Sequence, residues 1–229
     1  MQVNPAIHAV AALDDALRGG MYSFIRAARR PITRDEAAAA VGISRKLAAF
    51  HLDKLVGAGL LQARYEPAGR VGRAPKVYEP TNTDIRITIP ARRPDILAEI
   101  LVEAVLTETP TETARDAAIR VASRHGESLG AAERARRRPG RLGVERALTL
   151  AENMLAHHGF EPTRTGPACV RLRNCPFHPL AAGAPDLVCA INHAFLSGFL
   201  RGLHAGNVEA ALEPRAGECC VELRSAAAK

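Results

Sequence analysis

Apolar residues in the first third of the chain recur at spacings of three and four, which predicts three helices in succession. The first begins before Asp14 and ends near Arg30, where a proline follows. The second covers 34–41 and the third covers 45–58, and a glycine follows each of them. Glycine readily takes a positive φ after a helix, so both helices have a defined end. Two helices joined by a short turn that contains glycine form a helix-turn-helix arrangement.

The third of these helices is expected to have one buried face and one outward face. Ser44 caps its start, and Thr33 with Glu36 forms a capping box at the start of the helix before it. The face expected to pack inward comprises Ala48, His51, Leu52 and Leu55. The face expected to point outward comprises Arg45, Lys46, Ala49, Phe50 and Asp53. Cations at a helix start, a small residue and an apolar ring that can contact a thymine methyl suit the major groove of DNA.

Two strand-like segments, Leu60–Tyr65 and Lys76–Glu79, follow the third helix and predict a hairpin. The stretch between them is rich in Gly and Pro, which excludes regular structure at its tip. Four cations lie on this hairpin, two on its arms and two at its tip: Arg64, Lys76, Arg70 and Arg73. A basic tip beside a recognition helix is suited to phosphate or minor-groove contact, the alternative being a solvated loop.

The stretch Pro31–Pro80 contains VGISRKLAAFHLDKLVGAGLL and ends in KVYEP, and it resembles the winged-helix domain of ArsR-type bacterial regulators. The resemblance implies a homodimer that binds a near-palindromic operator of double-stranded DNA, usually as a repressor. The residues expected to contact DNA are Thr33, Ser44, Arg45, Lys46, Ala49, Phe50, Arg64, Arg70, Arg73 and Lys76.

The distribution of charge agrees with a polyanionic partner. The chain of 229 residues has a formal net charge of +7, and residues 1–80 carry 12 basic against 7 acidic side chains, or +5 of that total. A hydrophobic fraction of 47% excludes a disordered chain. Apolar runs all fall short of the roughly 20 residues that span a bilayer, so we expect no membrane association.

Beyond residue 82 the pattern predicts a mostly helical linker, 83–142, and then a sensor domain, 143–229, with a small antiparallel sheet. Together with the winged helix-turn-helix domain, 1–82, this is an α+β chain. The segment 81–89 alternates like a strand, and 134–141 is a basic loop that is either solvated or close to DNA. The expected helices are 95–107, 111–129, 143–158, one after Pro176, and 186–203; the expected strands are 160–164, 168–173, 210–214 and 220–224. The helix 95–107 is expected to form either a dimer seam or a contact within its own domain.

All five cysteines lie between Cys169 and Cys220, which favours a metal or redox site over a secreted disulfide framework. The first ten residues also lack the order of a secretory signal, so we expect a cytoplasmic protein. Three elements carry thiols that can meet: a turn with Cys175, a helix with Cys189, and Cys219 with Cys220 at the last strand. Thiolates are soft ligands suited to iron–sulfur clusters or zinc. Cys169, in the middle of a strand, is expected to be a core residue.

A second resemblance concerns these cysteines. The segments NCPF around Cys175, PDLVC ending at Cys189, and GECCV with Cys219 and Cys220 are similar to the Suf-type repressors of iron–sulfur-cluster assembly genes. Those proteins are winged-helix homodimers that hold a cluster with C-terminal cysteines. The resemblance implies that Cys175, Cys189 and one of Cys219 or Cys220 hold the cluster here, with a fourth ligand undetermined.

Other interpretations of the thiols remain open at the level of sequence. Zinc would be held by Cys175 with His178, and by Cys189 with His193 one helical turn further on. Cys219 and Cys220 could instead form a vicinal disulfide, or the thiols could be structural around a small-molecule pocket. The chain lacks a phosphate-binding glycine loop and a GxSxG motif, so we expect a regulator and not an enzyme.

Overall fold

The computed structural model describes residues 5–66 and 74–226 and divides the chain into two units, Met1–Ile87 and Thr88–Lys229. Helices and two small antiparallel sheets make up the described elements, so the predicted α+β class is confirmed. The residues predicted as a linker, 83–142, fall almost entirely in the second unit. In the part of the chain that is described, no helix has the length and apolar character to cross a bilayer.

The first unit contains four helices and three short strands. In chain order they are α1 Pro5–Leu13, α2 Ala16–Ala28, β1 Ile32–Thr33, α3 Arg34–Ala40, α4 Arg45–Gly57, β2 Leu61–Tyr65 and β3 Lys76–Pro80. The single first helix predicted from the sequence is two helices, because Asp15 adopts an extended conformation and caps α2. Its carboxylate accepts a hydrogen bond from the backbone N–H of Arg18 at 3.0 Å.

The sheet of the first unit has the strand order β1-β3-β2. The predicted hairpin is confirmed, with Leu61 opposite Pro80 and Tyr65 opposite Lys76. The strand β1, between α2 and α3, pairs Ile32 with Tyr78 and was not predicted. The sheet packs against a core to which α2 and α4 contribute. Met21 of α2 and Leu52 of α4, both fully buried, belong to this core.

The predicted strand over 81–89 is wrong. The segment is irregular, since no neighbouring strand supplies hydrogen bonds to it within the described residues. Ile85 packs against the core of the first unit, whereas Ile89 is 88% exposed. The apolar residues therefore alternate in this segment without the segment being part of a sheet, since Ile85 contacts the core and Ile89 faces solvent.

The second unit packs helices against a four-stranded sheet of order β4-β5-β7-β6, in which every pairing is antiparallel. Its elements are α5 Pro94–Leu106, α6 Ala114–Arg137, α7 Val144–His157, β4 Pro162–Gly166, β5 Cys169–Leu172, α8 Leu180–Gly183, α9 Pro185–Gly202, β6 Val208–Leu212 and β7 Val221–Ser225. Each predicted helix and strand of the sensor domain is confirmed within a few residues. The helices α5 and α6 join the same core, where Ile100, Val121 and Phe199 are fully buried.

The predicted basic loop over 134–141 is wrong for its first half, because α6 continues to Arg137. Glu133, only 8% exposed, lies 2.6 Å from a guanidinium nitrogen of Arg136 and 3.0 Å from one of Arg137. Pairs at these spacings stabilise a helix, and Arg138 then ends it with a left-handed φ of 45°.

The helices α6 and α9 touch backbone to backbone through glycines on both. A Cβ placed on Gly126 would lie 1.9 Å from the carbonyl oxygen of Phe195. A Cβ on Gly198 would lie 2.0 Å from the carbonyl oxygen of Ser123. Gly130 and Gly202 meet the opposite helix in the same way one turn further on. This contact fixes the position of α9, the helix that carries Cys189.

Candidate functional site

The outward face of α4 begins at a capped helix start. The hydroxyl of Ser44 accepts a hydrogen bond from the N–H of Leu47 at 3.3 Å. The predicted inward face is confirmed, since Ala48, His51, Leu52 and Leu55 are the buried residues of the helix. Arg45, Lys46 and Phe50 are exposed, and Ala49 is half-buried between them.

The exposed cations of this surface differ in how far acidic neighbours neutralise them. The Nε atom of Arg45 lies 3.0 Å from Oδ1 of Asp35, and the Nζ atom of Lys76 lies 2.9 Å from Oδ1 of Asp53. The hydrogen bond that Lys76 donates to Asp53 raises the pKa of Lys76. Arg64 lies 3.4 Å from Glu66 and also 3.4 Å from Glu79.

Lys46 has no ion pair with any residue that the structure describes, so it is the least compensated cation at the start of α4. Phe50 beside it is 55% exposed, and the Nζ atom of Lys54 lies 5.5 Å from the centre of its ring. An aromatic ring that is half in solvent between two lysines is unusual for a surface without a partner.

Thr33, Arg70 and Arg73 are the remaining predicted DNA contacts. The hydroxyl of Thr33 accepts from the N–H of Glu36 and donates to its carboxylate, so the capping box is confirmed and the side chain serves α3. Arg70 and Arg73, predicted at the hairpin tip, lie outside the described residues.

In the second unit, thiols from three segments lie in one series, each close enough to the next to interact with it. The order is Cys175, Cys219, Cys220 and Cys189. We call this series the thiol chain. All five cysteines are free thiols, and Cys219 and Cys220 are 4% and 8% exposed.

The sheet and α9 place the members of the thiol chain. Cys175 follows β5, and Cys219 precedes β7, which pairs with β5. The N–H of Cys219 donates to the carbonyl oxygen of Leu172 at 2.8 Å, which extends that pairing to the thiol. Cys189 approaches from the first turns of α9.

The surroundings keep the thiols of Cys175, Cys189 and Cys219 protonated. The hydrogen bond with Cys219, together with burial, raises the pKa of Cys175 far above its ordinary value. For Cys219, the hydrogen bond with Cys175 lowers the pKa, but the bond with Cys220 and burial outweigh it and raise the value to about 12. Burial is also the main reason that the pKa of Cys189 is raised. These three thiols therefore carry their protons until a partner displaces them.

Three polar residues that the sequence did not single out as site residues support the thiol chain. Asn192, fully buried on α9, donates from Nδ2 to the sulfur of Cys219 at 3.1 Å, while its Oδ1 has no partner in the described structure. Arg92 donates to the side-chain oxygen of Asn174 and, at 2.7 Å, to the carbonyl oxygen of Cys175. A polar Asn inside the apolar stretch 187–200 is the sequence signal that could have indicated Asn192.

A pocket of about 420 Å³ opens onto these residues, and we call it the thiol pocket. Its lining includes Cys175, Cys189, Cys220 and His178. His193, the other predicted ligand, lies with Nε2 3.0 Å from the carbonyl oxygen of Ala210, so this nitrogen contacts β6. In residues 5–66 and 74–226, no three His, Cys, Asp or Glu side chains stand in an arrangement that could hold a metal ion.

The two surfaces differ in chemistry. The start of α4 presents cations, a small residue and an aromatic ring to solvent, which suits a polyanion. The thiol pocket gathers soft sulfur atoms. A metal can bind such thiols in place of their protons, and an oxidant can take electrons from them. No protein-family model, curated protein or solved structure matches the chain.

Proposed function

We propose that the chain is a cytoplasmic, DNA-binding transcriptional regulator, acting as a repressor, and not an enzyme. In this proposal its second unit senses iron–sulfur or redox status through the thiol chain. The observation that carries the proposal is the meeting of Cys175, Cys189, Cys219 and Cys220 from three segments of the second unit.

The DNA-binding part of the proposal is that the first unit is a winged helix-turn-helix domain. Supporting it are the order α2-β1-α3-α4-β2-β3, the β1-β3-β2 sheet and the glycine turn between α3 and α4. In this arrangement α4 enters the major groove with its first turn, and the hairpin β2-β3 lies beside it. Lys46 then contacts a phosphate or a guanine edge, and Phe50 contacts a thymine methyl.

The sensing part of the proposal rests on how the donors fit an iron–sulfur cluster. Such clusters are commonly held by four thiolates, and the thiol chain supplies four sulfurs, two of them on the buried residues Cys219 and Cys220. When bound, a cluster supplies a redox-active centre that responds to iron and oxygen. The four thiols would hold such a cluster as thiolates, with Arg92 offsetting negative charge beside Cys175 and Asn192 donating to the sulfur of Cys219.

Coupling between the two activities requires a dimer, and we propose a homodimer. The exposed side of α5 supports it, because Val102, Val105 and Leu106 are 60%, 73% and 78% exposed on one helix. A ligand at the thiol pocket that binds one dimer geometry better than another would change the spacing of the two α4 helices and thus operator affinity.

Zinc is the second candidate ligand, and the position of His178 favours it. His178 lines the thiol pocket with Cys175, Cys189 and Cys220, which makes a mixed sulfur and nitrogen donor set. His193 is less suited to this role because its Nε2 already contacts the carbonyl oxygen of Ala210.

Metal analysis of protein purified without oxygen tests the sensing part. We expect iron and acid-labile sulfide in the wild type and their loss in Cys175→Ser, Cys189→Ser and Cys219→Ser. Cys169→Ser is the matched control, because Cys169 lies on β5 and outside the thiol chain. This variant should retain both iron and sulfide. Colourless protein with stoichiometric zinc that His178→Ala releases would establish zinc instead. Protein with neither metal would overturn both versions.

Selection of bound sequences from a random duplex library tests the DNA part independently. We expect enrichment of a near-palindromic sequence whose affinity changes between the cluster-loaded and cluster-free protein. The absence of any enriched sequence in both states would refute the regulator proposal, whatever metal the protein holds.

A further inference from the structure

A second pocket in the second unit shares no lining residue with the thiol pocket. It has a volume of about 780 Å³ and lies where the end of α6, the start of α7 and the turn after α9 meet. Its polar lining includes Arg134, Arg141, His204 and Asn207. We call it the basic pocket, and its volume is in the range of pockets that hold small organic ligands.

The arginines of the basic pocket have no acidic partner in the described part of the chain. Their neighbours Arg136 and Arg137 both pair with Glu133, at 2.6 and 3.0 Å. Arg134 instead donates to the carbonyl oxygen of Leu203 at 3.1 Å, which fixes its guanidinium without neutralising it. Arg141 is exposed in the loop between α6 and α7. Uncompensated guanidinium groups around a concavity attract an anion, and phosphate matches their planar donor geometry.

Asn207 adds an unpaired acceptor to this lining. Its Nδ2 donates to the carbonyl oxygen of Leu142 at 3.0 Å, which establishes which end of the amide is the nitrogen. The other end, Oδ1, is buried and has no hydrogen-bond partner among the described residues. An unsatisfied buried acceptor costs free energy, which a ligand hydroxyl or N–H would recover if the amide of Asn207 turned toward the pocket.

The start of α7 completes the lining with backbone donors. Gly143 is the N-cap of this helix, and in the described structure no side chain caps it. Gly143 lines the basic pocket, and the first N–H groups of a helix need acceptors and carry partial positive charge, so this end of α7 favours an anion.

We propose that the basic pocket binds the phosphate ester of a small hydroxylated molecule. Arg134, Arg141 and the start of α7 hold the phosphate, and Asn207 accepts a hydrogen bond from a hydroxyl of the organic part. A duplex nucleic acid presents its phosphates on a convex surface, whereas this pocket is concave and has the volume of a small ligand. The proposal stands apart from the proposed regulator function, since it concerns other residues and needs neither DNA nor a metal.

Calorimetric titration of the full chain with three probes tests this site: inorganic phosphate, ribose 5-phosphate and ribose. We expect ribose 5-phosphate to bind about tenfold more tightly than phosphate, because it also satisfies Asn207, and ribose not to bind. Arg141→Gln should weaken both phosphate probes by about tenfold. Asn207→Ala should bring the two affinities together without abolishing either.

Arg115→Gln is the matched control, since Arg115 is exposed on α6 and lies outside the pocket lining, and it should change neither affinity. Arg141 has no ion pair in the described structure, so its loss should leave the thermal unfolding midpoint unchanged. The proposal is wrong if neither phosphate probe binds the wild type, or if Arg115→Gln weakens them as much as Arg141→Gln. It is also wrong if Arg141→Gln weakens binding only to a random duplex, which would make this surface a nucleic-acid contact.

Discussion

The thiol of Cys175 lies beside the thiol of Cys219 although the two residues come from segments far apart in the chain. The pairing of β5 with β7 brings the two segments together, and the bond from the N–H of Cys219 to Leu172 extends that pairing to the cysteine. The sheet therefore gathers three members of the thiol chain, and α9 brings Cys189 to its other end. The fold places these thiols near one another, although among the described residues no three of them stand in an arrangement that could hold a metal ion.

Asn192 offers a test that separates stability from sensing. In Asn192→Leu, a buried acceptor without a partner is lost, so we expect the unfolding free energy of the metal-free protein to stay the same or rise by about 1 kcal/mol. The same change removes the hydrogen bond to the sulfur of Cys219, and such bonds influence cluster potentials. We expect the reduction potential of the cluster-loaded variant to become more negative, as measured by anaerobic redox titration.

Asn153→Leu is the control for this substitution, since Asn153 is exposed on α7. It should alter neither the potential nor the unfolding free energy. A marked loss of stability in metal-free Asn192→Leu would show that Asn192 is a structural residue, and an unchanged potential would remove it from the site.

The glycines between α6 and α9 should be intolerant of any side chain. In Gly126→Ala or Gly198→Ala the new methyl group would overlap a backbone carbonyl of the other helix, and backbone cannot move aside as a flexible side chain does. We expect a loss of about 3 kcal/mol or more, visible as a lower midpoint in thermal unfolding followed by circular dichroism. Gly183→Ala, where an added Cβ meets nothing within 4 Å, should leave the midpoint close to that of the wild type.

Much of the first unit could be predicted from the sequence because its signals are local. The capping box of Thr33 and Glu36 and the buried face from Ala48 to Leu55 depend on spacings within one or two helical turns. The split between α1 and α2 was missed because Asp15 ends one helical pattern and begins another without breaking the apolar spacing. The strand β1 was missed because two residues carry no periodicity, and Ile32 pairs with a residue much later in the chain.

The parts of the candidate site that could not be predicted from the sequence depend on contacts between distant segments. The cysteines could be identified as candidate ligands by type, yet their order in the thiol chain depends on the sheet register. Arg92 belongs to the predicted linker, and nothing near it in the chain indicates a contact with the carbonyl oxygen of Cys175. The need for glycines on α6 and α9 could not be predicted for the same reason, because each is required by a backbone carbonyl of the other helix.

Lys46 should matter more for DNA binding than its neighbour Arg45. Arg45 already lies 3.0 Å from Asp35, whereas Lys46 has no acidic partner in the described residues. We expect Lys46→Gln to weaken binding to duplex DNA by about tenfold at moderate salt and to reduce the salt slope by about one. Arg45→Gln should have a smaller effect, and Asp35→Asn should strengthen binding because it releases Arg45. Fluorescence anisotropy over a range of salt concentrations measures all three.

Arg115→Gln is again the control for charge, since Arg115 is exposed in the other unit. Its affinity and salt slope should equal those of the wild type. Equal losses in Arg115→Gln and Lys46→Gln would mean that DNA responds to net charge alone and would contradict the assignment of α4 as the reading helix.

Glu36 should make the stability of the first unit depend on pH. Its carboxylate accepts a hydrogen bond from Arg30 at 2.6 Å and bonds from the N–H and hydroxyl of Thr33 at 2.8 and 2.7 Å. The bond from Arg30 and then those from Thr33 lower the pKa of Glu36 from 4.5 to about 2. Because the folded pKa lies below the unfolded one, the stabilisation is complete above pH 4.5 and is lost as the pH falls through about 2.

Comparison with Glu36→Gln isolates this effect, because glutamine keeps the shape of the cap and lacks the charge. We expect the wild type to be more stable by about 0.5 to 1 kcal/mol at neutral pH, a value kept small because the pair with Arg30 is partly exposed. The difference should shrink as the pH falls from 4.5 to 2. Urea unfolding followed by tyrosine fluorescence reports on this unit, since the chain has no Trp and its tyrosines are Tyr22, Tyr65 and Tyr78. Glu66→Gln removes a half-buried carboxylate outside any helix cap. An equally pH-dependent difference there would assign the effect to net charge and not to the capping box of α3.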